Sequence, residues 1–233
     1  MGYGMGYGSF YDIYFLILVV PAILFSLVMS IWVKSAYRKN SKISNARGIT
    51  GAQAAERVLR QYGISDVRIE MTSGKLTDHY DPRGKVIRLS QGVFQGATPA
   101  AVGIAAHEAG HAAQHAGHYA PIKVRNAILP ACNIGSHLGP ILIFLGFMMG
   151  FGPLVTIGLG MFGLVALFQL VTLPVEFNAS TRALRVIEDT GMLEGGDYRG
   201  ARRVLQAAAM TYVAALLVSI ANLLRLLLRV RRR

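Results

Sequence analysis

Four long apolar runs dominate the pattern of hydrophobic and polar positions along the chain. They lie at residues 11–33, 134–151, 154–173 and 204–224. A helix needs about 20 predominantly apolar residues to cross the roughly 30 Å hydrocarbon core of a bilayer, and each run has or approaches that length. The pattern therefore predicts an α-helical integral membrane protein in which residues 134–173 form a transmembrane hairpin that turns at Gly152-Pro153.

The polar stretches between these runs complete the predicted organisation. In chain order we expect a flexible tail (1–10), a first transmembrane helix (11–33), a polar domain (34–133), the transmembrane hairpin (134–173), a helix and loop (174–203), a transmembrane or interfacial helix (204–228) and a basic tail (229–233). Within the polar domain the pattern predicts a helix at 49–62, a strand at 67–71, a hairpin of strands 75–80 and 85–90, and a helix at 98–116 with Thr98 as its N-cap. The polar domain is therefore predicted to be a small α+β unit.

The charged residues suggest how the chain lies in the membrane. The formal net charge is +12 although only 15% of the residues are charged, and 53% are hydrophobic. Such a basic excess is typical of juxtamembrane anchoring, so we expect the lipid bilayer as a partner and no nucleic acid. Basic residues follow residue 33 closely, and the positive-inside rule then predicts a cytoplasmic polar domain. The arginines after residue 224 would lie outside, which leaves the orientation of the last helix open.

One motif in the polar domain carries candidate chemistry. Residues 107–111 read HEAGH, the H-E-x-x-H pattern, well inside the predicted helix 98–116. Residues four apart share one helix face, so His107 and His111 can reach the same metal ion. A catalytic zinc takes three protein ligands and keeps one position for water, and Glu108 is placed to accept a proton from that water.

The third ligand must come from outside this helix. His115 lies on the same face, but it is about 12 Å from His107 along a straight helix, too far for one ion. The metzincin pattern is broken as well, because Gln114 and Gly117 stand where its glycine and third histidine belong. The apolar hairpin returns Glu176 to the side that holds the histidines, which makes it the best candidate. Three later carboxylates are its rivals: Glu188, Asp189 and Glu194.

The combination of motifs resembles a known family. HEAGH, a transmembrane pair, EFNAS at residues 176–180 and the segment LTDHYDPRGKVIRLS at residues 76–90 are similar to the YugP-type family of small bacterial membrane zinc metallopeptidases, a group of gluzincins. More distantly, the layout resembles the HtpX and Ste24 proteases. The resemblance runs from about residue 11 to residue 228. It implies a zincin-like metalloprotease domain at the cytoplasmic face of the bacterial cell membrane, in a multi-pass protein.

The resemblance also implies roles for individual residues. His107, His111 and Glu176 would bind one zinc ion per chain, and Glu108 would be the general base. Many gluzincins have an aspartate that orients the first histidine, and Ser180 stands at that position here. Asn178, Asp78 and Asp81 are alternatives for that orienting contact, and His79, Tyr80 and Arg182 are candidates for stabilising the oxyanion.

These observations predict a zinc-dependent metalloendopeptidase that cleaves membrane or membrane-proximal proteins. The alternative is a zinc-binding membrane scaffold or chaperone-like factor without proteolysis, although such a protein would have no need of Glu108. A metal transporter should carry ionisable residues within its spans, and the apolar runs offer only polar residues such as Gln169, Thr156 and Asn222.

Overall fold

The structure, a computed structural model, describes residues 13–231. The predicted tail 1–10 lies outside the described residues, as do the last two residues of the predicted basic tail 229–233. The elements are a π-helical turn at Phe15–Val19, then α1 (Val20–Asn40), α2 (Gly51–Gln61), β1 (Arg68–Thr72), β2 (His79–Asp81), β3 (Val86–Ser90), α3 (Gln91–Phe94), α4 (Pro99–Ala116), α5 (Ala120–Met148), α6 (Gly152–Asp189) and α7 (Gly195–Arg231).

Four helical segments are long and apolar enough to cross a membrane: Phe15–Asn40, Ala120–Met148, Gly152–Asp189 and Gly195–Val230. They correspond to the four apolar runs, and each of them extends beyond its run at one end or at both. Helix α5 begins at Ala120, well before the predicted start at residue 134. Helix α6 continues through Pro174 to Asp189, although the apolar run predicted a span that ends at residue 173. One proline removes a single backbone hydrogen bond, and a long packed helix can accommodate that loss.

Helix α7 packs antiparallel to α1. At one end of the pair, Val204 packs with Ala36 of α1. At the other end, Ala221 packs with Val19 and Ala22, and the guanidinium of Arg225 lies 4.9 Å from the ring centroid of Phe15. The segment predicted at 204–228 as transmembrane or interfacial is therefore part of one helix that runs along the whole of α1.

The three-stranded sheet has the order β1-β3-β2, with β1 parallel and β2 antiparallel to β3. The predicted hairpin is present, but its first strand is shorter than expected and covers only His79–Asp81. The Asp81 carboxylate accepts hydrogen bonds from the backbone N–H groups of Arg83 (2.9 Å) and Gly84 (3.2 Å), which fixes the turn. Strand β2 is left at the edge of the sheet, beside α4.

Helix α4 lies at the centre of the core. Its N-cap is Thr98, as predicted, and the Thr98 hydroxyl accepts a hydrogen bond from the backbone N–H of Ala101 at 3.2 Å. Twelve of its residues are buried, and they pack against α2, β3 and the adjoining ends of α6 and α7. Because α4 is enclosed on nearly all sides, its polar residues face the interior of the protein.

Candidate metal centre

Helix α4 consists mostly of small residues, and this allows it to approach α6 closely. A Cβ atom at Gly110 would lie 2.6 Å from the backbone oxygen of Ala179, closer than real Cβ atoms come to a neighbour. Glycine is therefore required where the two backbones meet. His111 follows this contact on α4 and Ser180 follows it on α6, so the contact sets the distance between the polar side chains of the two helices.

Three side chains converge beside this contact. The Nε2 atoms of His107 and His111 lie 3.3 Å and 3.6 Å from Oε2 of Glu176. One ligand atom from each of the three residues lies within 4.8 Å of the other two. The two imidazole rings stand edge to face, with their centroids 4.7 Å apart. The two histidines and the preferred third candidate of the sequence analysis therefore surround a single point.

The donor set and its surroundings fit a bound divalent cation. Oε2 of Glu176 is buried and has no hydrogen-bond partner among the described residues. A buried, unpaired carboxylate oxygen is costly, and a cation would remove that cost. Burial lowers the pKa of His111, but the carboxylates of Glu176 and Glu108 outweigh burial and raise this pKa above its usual value. Two imidazoles and one carboxylate are a known catalytic zinc set.

Both histidines are held by a hydrogen bond at the other ring nitrogen. Nδ1 of His107 lies 3.1 Å from the Ser180 hydroxyl, and Nδ1 of His111 lies 3.0 Å from Oε1 of Gln114. A proton on each Nδ1 leaves the Nε2 lone pair free for a metal, and such outer contacts orient metal-binding imidazoles. Ser180 thus contacts the first histidine as its position suggested.

Gln114 connects the two helices through a buried network. Its amide nitrogen donates to the backbone oxygen of Val175 at 2.7 Å and to Oδ1 of Asn178 at 3.0 Å. The same Asn178 oxygen accepts a hydrogen bond from Nε of Arg182 at 2.8 Å. Asn178 and Arg182 therefore support the His111 side of the site, and Arg182 also lies over the ring of Tyr62, 5.5 Å from its centroid.

The two aspartates considered for the first histidine bond elsewhere. Asp78 accepts hydrogen bonds from the backbone N–H and the hydroxyl of Ser90, at 2.7 Å and 3.0 Å. Asp81 fixes the turn between β2 and β3. Neither aspartate orients His107, because that contact belongs to Ser180.

Glu108 is oriented by the edge strand. The backbone N–H of Tyr80 in β2 donates to Oε2 of Glu108 at 3.0 Å. The Tyr80 ring lies against the ring of His115, with centroids 5.5 Å apart. Nδ1 of His79 lies 2.7 Å from the backbone oxygen of Thr77, and His79 is exposed. One backbone bond therefore connects the sheet to the carboxylate next to the metal ligands.

Two cavities flank the converging side chains. The apolar cavity, of about 510 Å³, lies between α1, α4, α6 and α7, and the residues that characterise it are Val33, Ile104, Val204, Leu205 and Ala208. The polar cavity, of about 220 Å³, is characterised by His79, Tyr80, His115, Arg125 and Asn126. The walls of both cavities include His107, Glu108, Glu176 and Tyr212. A chain that passes the site would thus have an apolar environment on one side and a polar environment on the other.

The rival carboxylates lie away from the histidines. Glu188 accepts a hydrogen bond from the Tyr198 hydroxyl at 3.3 Å, Glu194 pairs with Arg47, and Asp189 is exposed. Among the four carboxylates considered, Glu176 alone joins the described metal-ligand cluster.

Three residues of the site were missed by the sequence analysis. Gln114 was noted only as breaking the metzincin pattern, although a fully buried glutamine three residues after His111 is a signal of its own. Tyr212 faces the carboxylates of Glu176 and Glu108 from α7, in a stretch interpreted only as a span. Arg125 was assigned to the polar domain because α5 was expected to begin later.

Comparison with known proteins identifies the family to which the sequence is similar. Residues 15–231 match the profile of a family described as "Putative neutral zinc metallopeptidase". The chain is 42% identical over 211 residues to the "Putative membrane protease YugP" of Bacillus subtilis (strain 168), covering 91% of this chain and 94% of the relative. No solved structure matches the chain. The extent of both sequence matches shows that the chain belongs to this family of zinc metallopeptidases.

Proposed function

We propose that the protein is a membrane-embedded, zinc-dependent metalloendopeptidase of the gluzincin type, with a zincin-like arrangement around α4. The observation that carries this proposal is the meeting of two Nε2 atoms and an unpaired, buried carboxylate oxygen next to Glu108. His107, His111 and Glu176 would hold one zinc ion. When bound, zinc supplies a Lewis acid that polarises a carbonyl and makes a water a good nucleophile at neutral pH.

Glu108 is the proposed general base. It lies beside the ligands without belonging to the converging set, so its carboxylate can accept a proton from the attacking water. The same carboxylate then delivers that proton to the nitrogen of the leaving amine. The hydrogen bond from the Tyr80 backbone keeps Oε2 of Glu108 oriented during both transfers.

Tyr212 is the proposed donor to the oxyanion. It lines both cavities from α7, and its hydroxyl lies near the carboxylates of Glu176 and Glu108. A phenol is a neutral donor, and donors placed where negative charge develops lower the barrier to attack on a carbonyl. His79 and Tyr80 border the polar cavity and are second candidates, whereas Arg182 is engaged with Asn178 and is better explained as support for the site.

The proposed substrate is a membrane protein, or a segment close to the bilayer surface. The apolar cavity reaches the ends of the membrane-crossing helices α1 and α7, and Lys34 and Arg38 line it where α1 leaves the apolar run. These cations support a site on the cytoplasmic side by the positive-inside rule. The exposed edge of β2 can pair with an extended peptide and align it beside Glu108.

Metal content and hydrolysis of detergent-purified protein test the proposal. We expect about one zinc per chain and cleavage of casein by the wild type. Glu108→Gln should keep its zinc and lose at least about 100-fold in cleavage rate, in the range of general acid–base contributions. Glu176→Ala should lose zinc. The control is Glu188→Ala, which changes an exposed carboxylate on the same helix and should keep both its zinc and its cleavage rate.

Two results would overturn the proposal. Zinc binding without cleavage of casein or of reconstituted membrane proteins would favour the scaffold function. Full activity of clean Glu108→Gln protein would exclude the proposed mechanism.

A further inference from the structure

Arg125 is a cation in the wall of the polar cavity that has no carboxylate partner among the described residues. It lies in the first two turns of α5, one of the four membrane-crossing helices. Its Nε atom is buried and has no hydrogen-bond partner, and the described residues offer the guanidinium no ion pair. A buried polar nitrogen without a hydrogen-bond partner is costly, and such a group in a folded protein commonly has a functional reason.

One aromatic contact accounts for the position of Arg125 but not for its charge. The guanidinium carbon lies 6.0 Å from the centroid of the Phe168 ring on α6. This distance is at the outer limit of a favourable cation–π contact. It leaves the planar set of N–H donors without an acceptor in the part of the chain that the structure describes, and those donors match a carboxylate in a two-bond arrangement.

The carboxylates that already line the polar cavity do not pair with Arg125. Asp78 accepts bonds from Ser90, Glu108 accepts a bond from Tyr80, and Glu176 is directed at the two histidines. Each has another role in the site, so the cavity retains a donor set suited to an incoming anion.

We propose that Arg125 binds a carboxylate of the substrate close to the bond that is cleaved. The polar cavity contains both the ligand cluster and Arg125. Its volume of about 220 Å³ is below the roughly 300 Å³ at which small-molecule sites begin, so it holds about one residue. The carboxylate belongs to an acidic side chain or to the C-terminus of the substrate. This inference rests on the proposed peptidase function and gives it a specificity.

Binding to zinc-loaded Glu108→Gln protein tests the inference without requiring cleavage. The probes are fluorescein-labelled peptides that share one apolar core. They differ in the internal residue, which is Glu or Gln, and in the C-terminus, which is free or amidated. Fluorescence anisotropy should show at least about tenfold tighter binding of a peptide with a carboxylate than of the amidated Gln peptide, as a charge-assisted hydrogen bond provides. The preferred member of the set identifies the source: internal Glu indicates an acidic side chain, and the free C-terminus indicates a terminal carboxylate.

Adding Arg125→Gln to Glu108→Gln should abolish the preference while zinc content is unchanged. The matched control is Lys123→Gln, because Lys123 is an exposed cation on the same helix and does not line the polar cavity. If Arg125→Gln loses zinc, the comparison passes to Arg125→Lys, which keeps the charge without the planar donor set and should show a reduced preference.

The inference is overturned if zinc-loaded Glu108→Gln protein shows no preference for peptides with a carboxylate. It is also overturned if adding Arg125→Gln leaves that preference in place, or if Arg125→Lys, where that variant is needed, leaves it unchanged. Casein cleavage by wild-type protein is measured separately. Carboxylate binding without any cleavage refutes the peptidase function but not the carboxylate site, whereas cleavage without a carboxylate preference refutes the carboxylate site alone.

Discussion

Helices α4 and α6 build the metal centre together, but they differ in almost every other respect. Helix α4 has 18 residues, 12 of them buried, whereas α6 has 38 residues and presents much of its length to the outside. The former contributes two candidate ligands and the proposed general base from one local pattern. The latter contributes a single candidate ligand, which reaches the other two only where the helix meets α4. Half of the site is therefore encoded locally and half depends on how two helices dock, and four substitutions can separate these contributions.

The largest effect is expected where the two helices touch. Gly110→Ala would drive a Cβ atom into the backbone of Ala179. Overpacking of this kind typically costs about 1–3 kcal/mol, and here it would separate Glu176 from the histidines. We expect zinc affinity to fall about 100-fold or more, since about 2.7 kcal/mol, near the upper end of this range, corresponds to a factor of 100. Gly163→Ala is the control, because a Cβ atom at Gly163 meets nothing within 4 Å; equal losses in both variants would contradict the docking argument.

The second effect concerns the buried link between the helices. Gln114→Ala removes the partner of His111 and the two hydrogen bonds to α6. Loss of an orienting contact typically lowers metal affinity about 10–100-fold. Competition with a chelator would measure this loss. Zinc affinity equal to that of the wild type would show that His111 needs no such support.

A smaller effect is expected at the partner of His107. Ser180→Ala removes one hydroxyl contact at 3.1 Å and leaves the Gln114 network intact. The loss of zinc affinity should therefore be less than that of Gln114→Ala in the same chelator competition. A larger loss in Ser180→Ala than in Gln114→Ala would mean that the Ser180 contact with His107 matters more for zinc binding than the Gln114 network.

The smallest effect is expected in the hairpin, which touches α4 through Glu108. Backbone N–H groups of Gly84 and Arg83 lower the pKa of Asp81 below its usual value. The stabilisation is therefore present above the unfolded-state pKa and disappears as pH falls through the lowered value. Asp81→Asn should lower the thermal unfolding midpoint slightly at pH 7, and the difference from wild type should vanish in acid, without loss of zinc at pH 7. A difference that persists at low pH would rule out the charged turn as its cause.

The sequence allowed the α4 half of the site to be predicted in detail. Thr98 and Pro99 mark the start of the helix, and the spacing of His107 and His111 needs nothing beyond helical geometry. Glu176 could be reached only by assuming that the apolar hairpin returns to its starting side. The continuation of α6 past residue 173 was missed because the end of the span was placed where the apolar run stops, without the packing of α6 against α4.

The residues around the ligands were harder to predict for a physical reason. Gln114 owes its role to Val175 and Asn178, which are more than 60 positions away in the chain. Tyr212 and Arg125 approach from two further helices. Such contacts depend on how helices turn about their own axes, and hydropathy constrains that rotation only weakly in a membrane-crossing bundle.

The continuity of α6 has a mechanical consequence. Gly152 begins this rod and Glu176 lies about 36 Å along it, close to the thickness of a bilayer's apolar layer. A change in bilayer thickness alters the tilt of such a rod. If its far end stays in place, a rotation of about 5° moves the near end by about 3 Å over this length, as much as the separation between the Glu176 oxygen and the His107 nitrogen. Lipid that tilted α6 relative to α4 would therefore change the geometry of the candidate metal ligands, and the membrane would then act on the centre as well as anchor it.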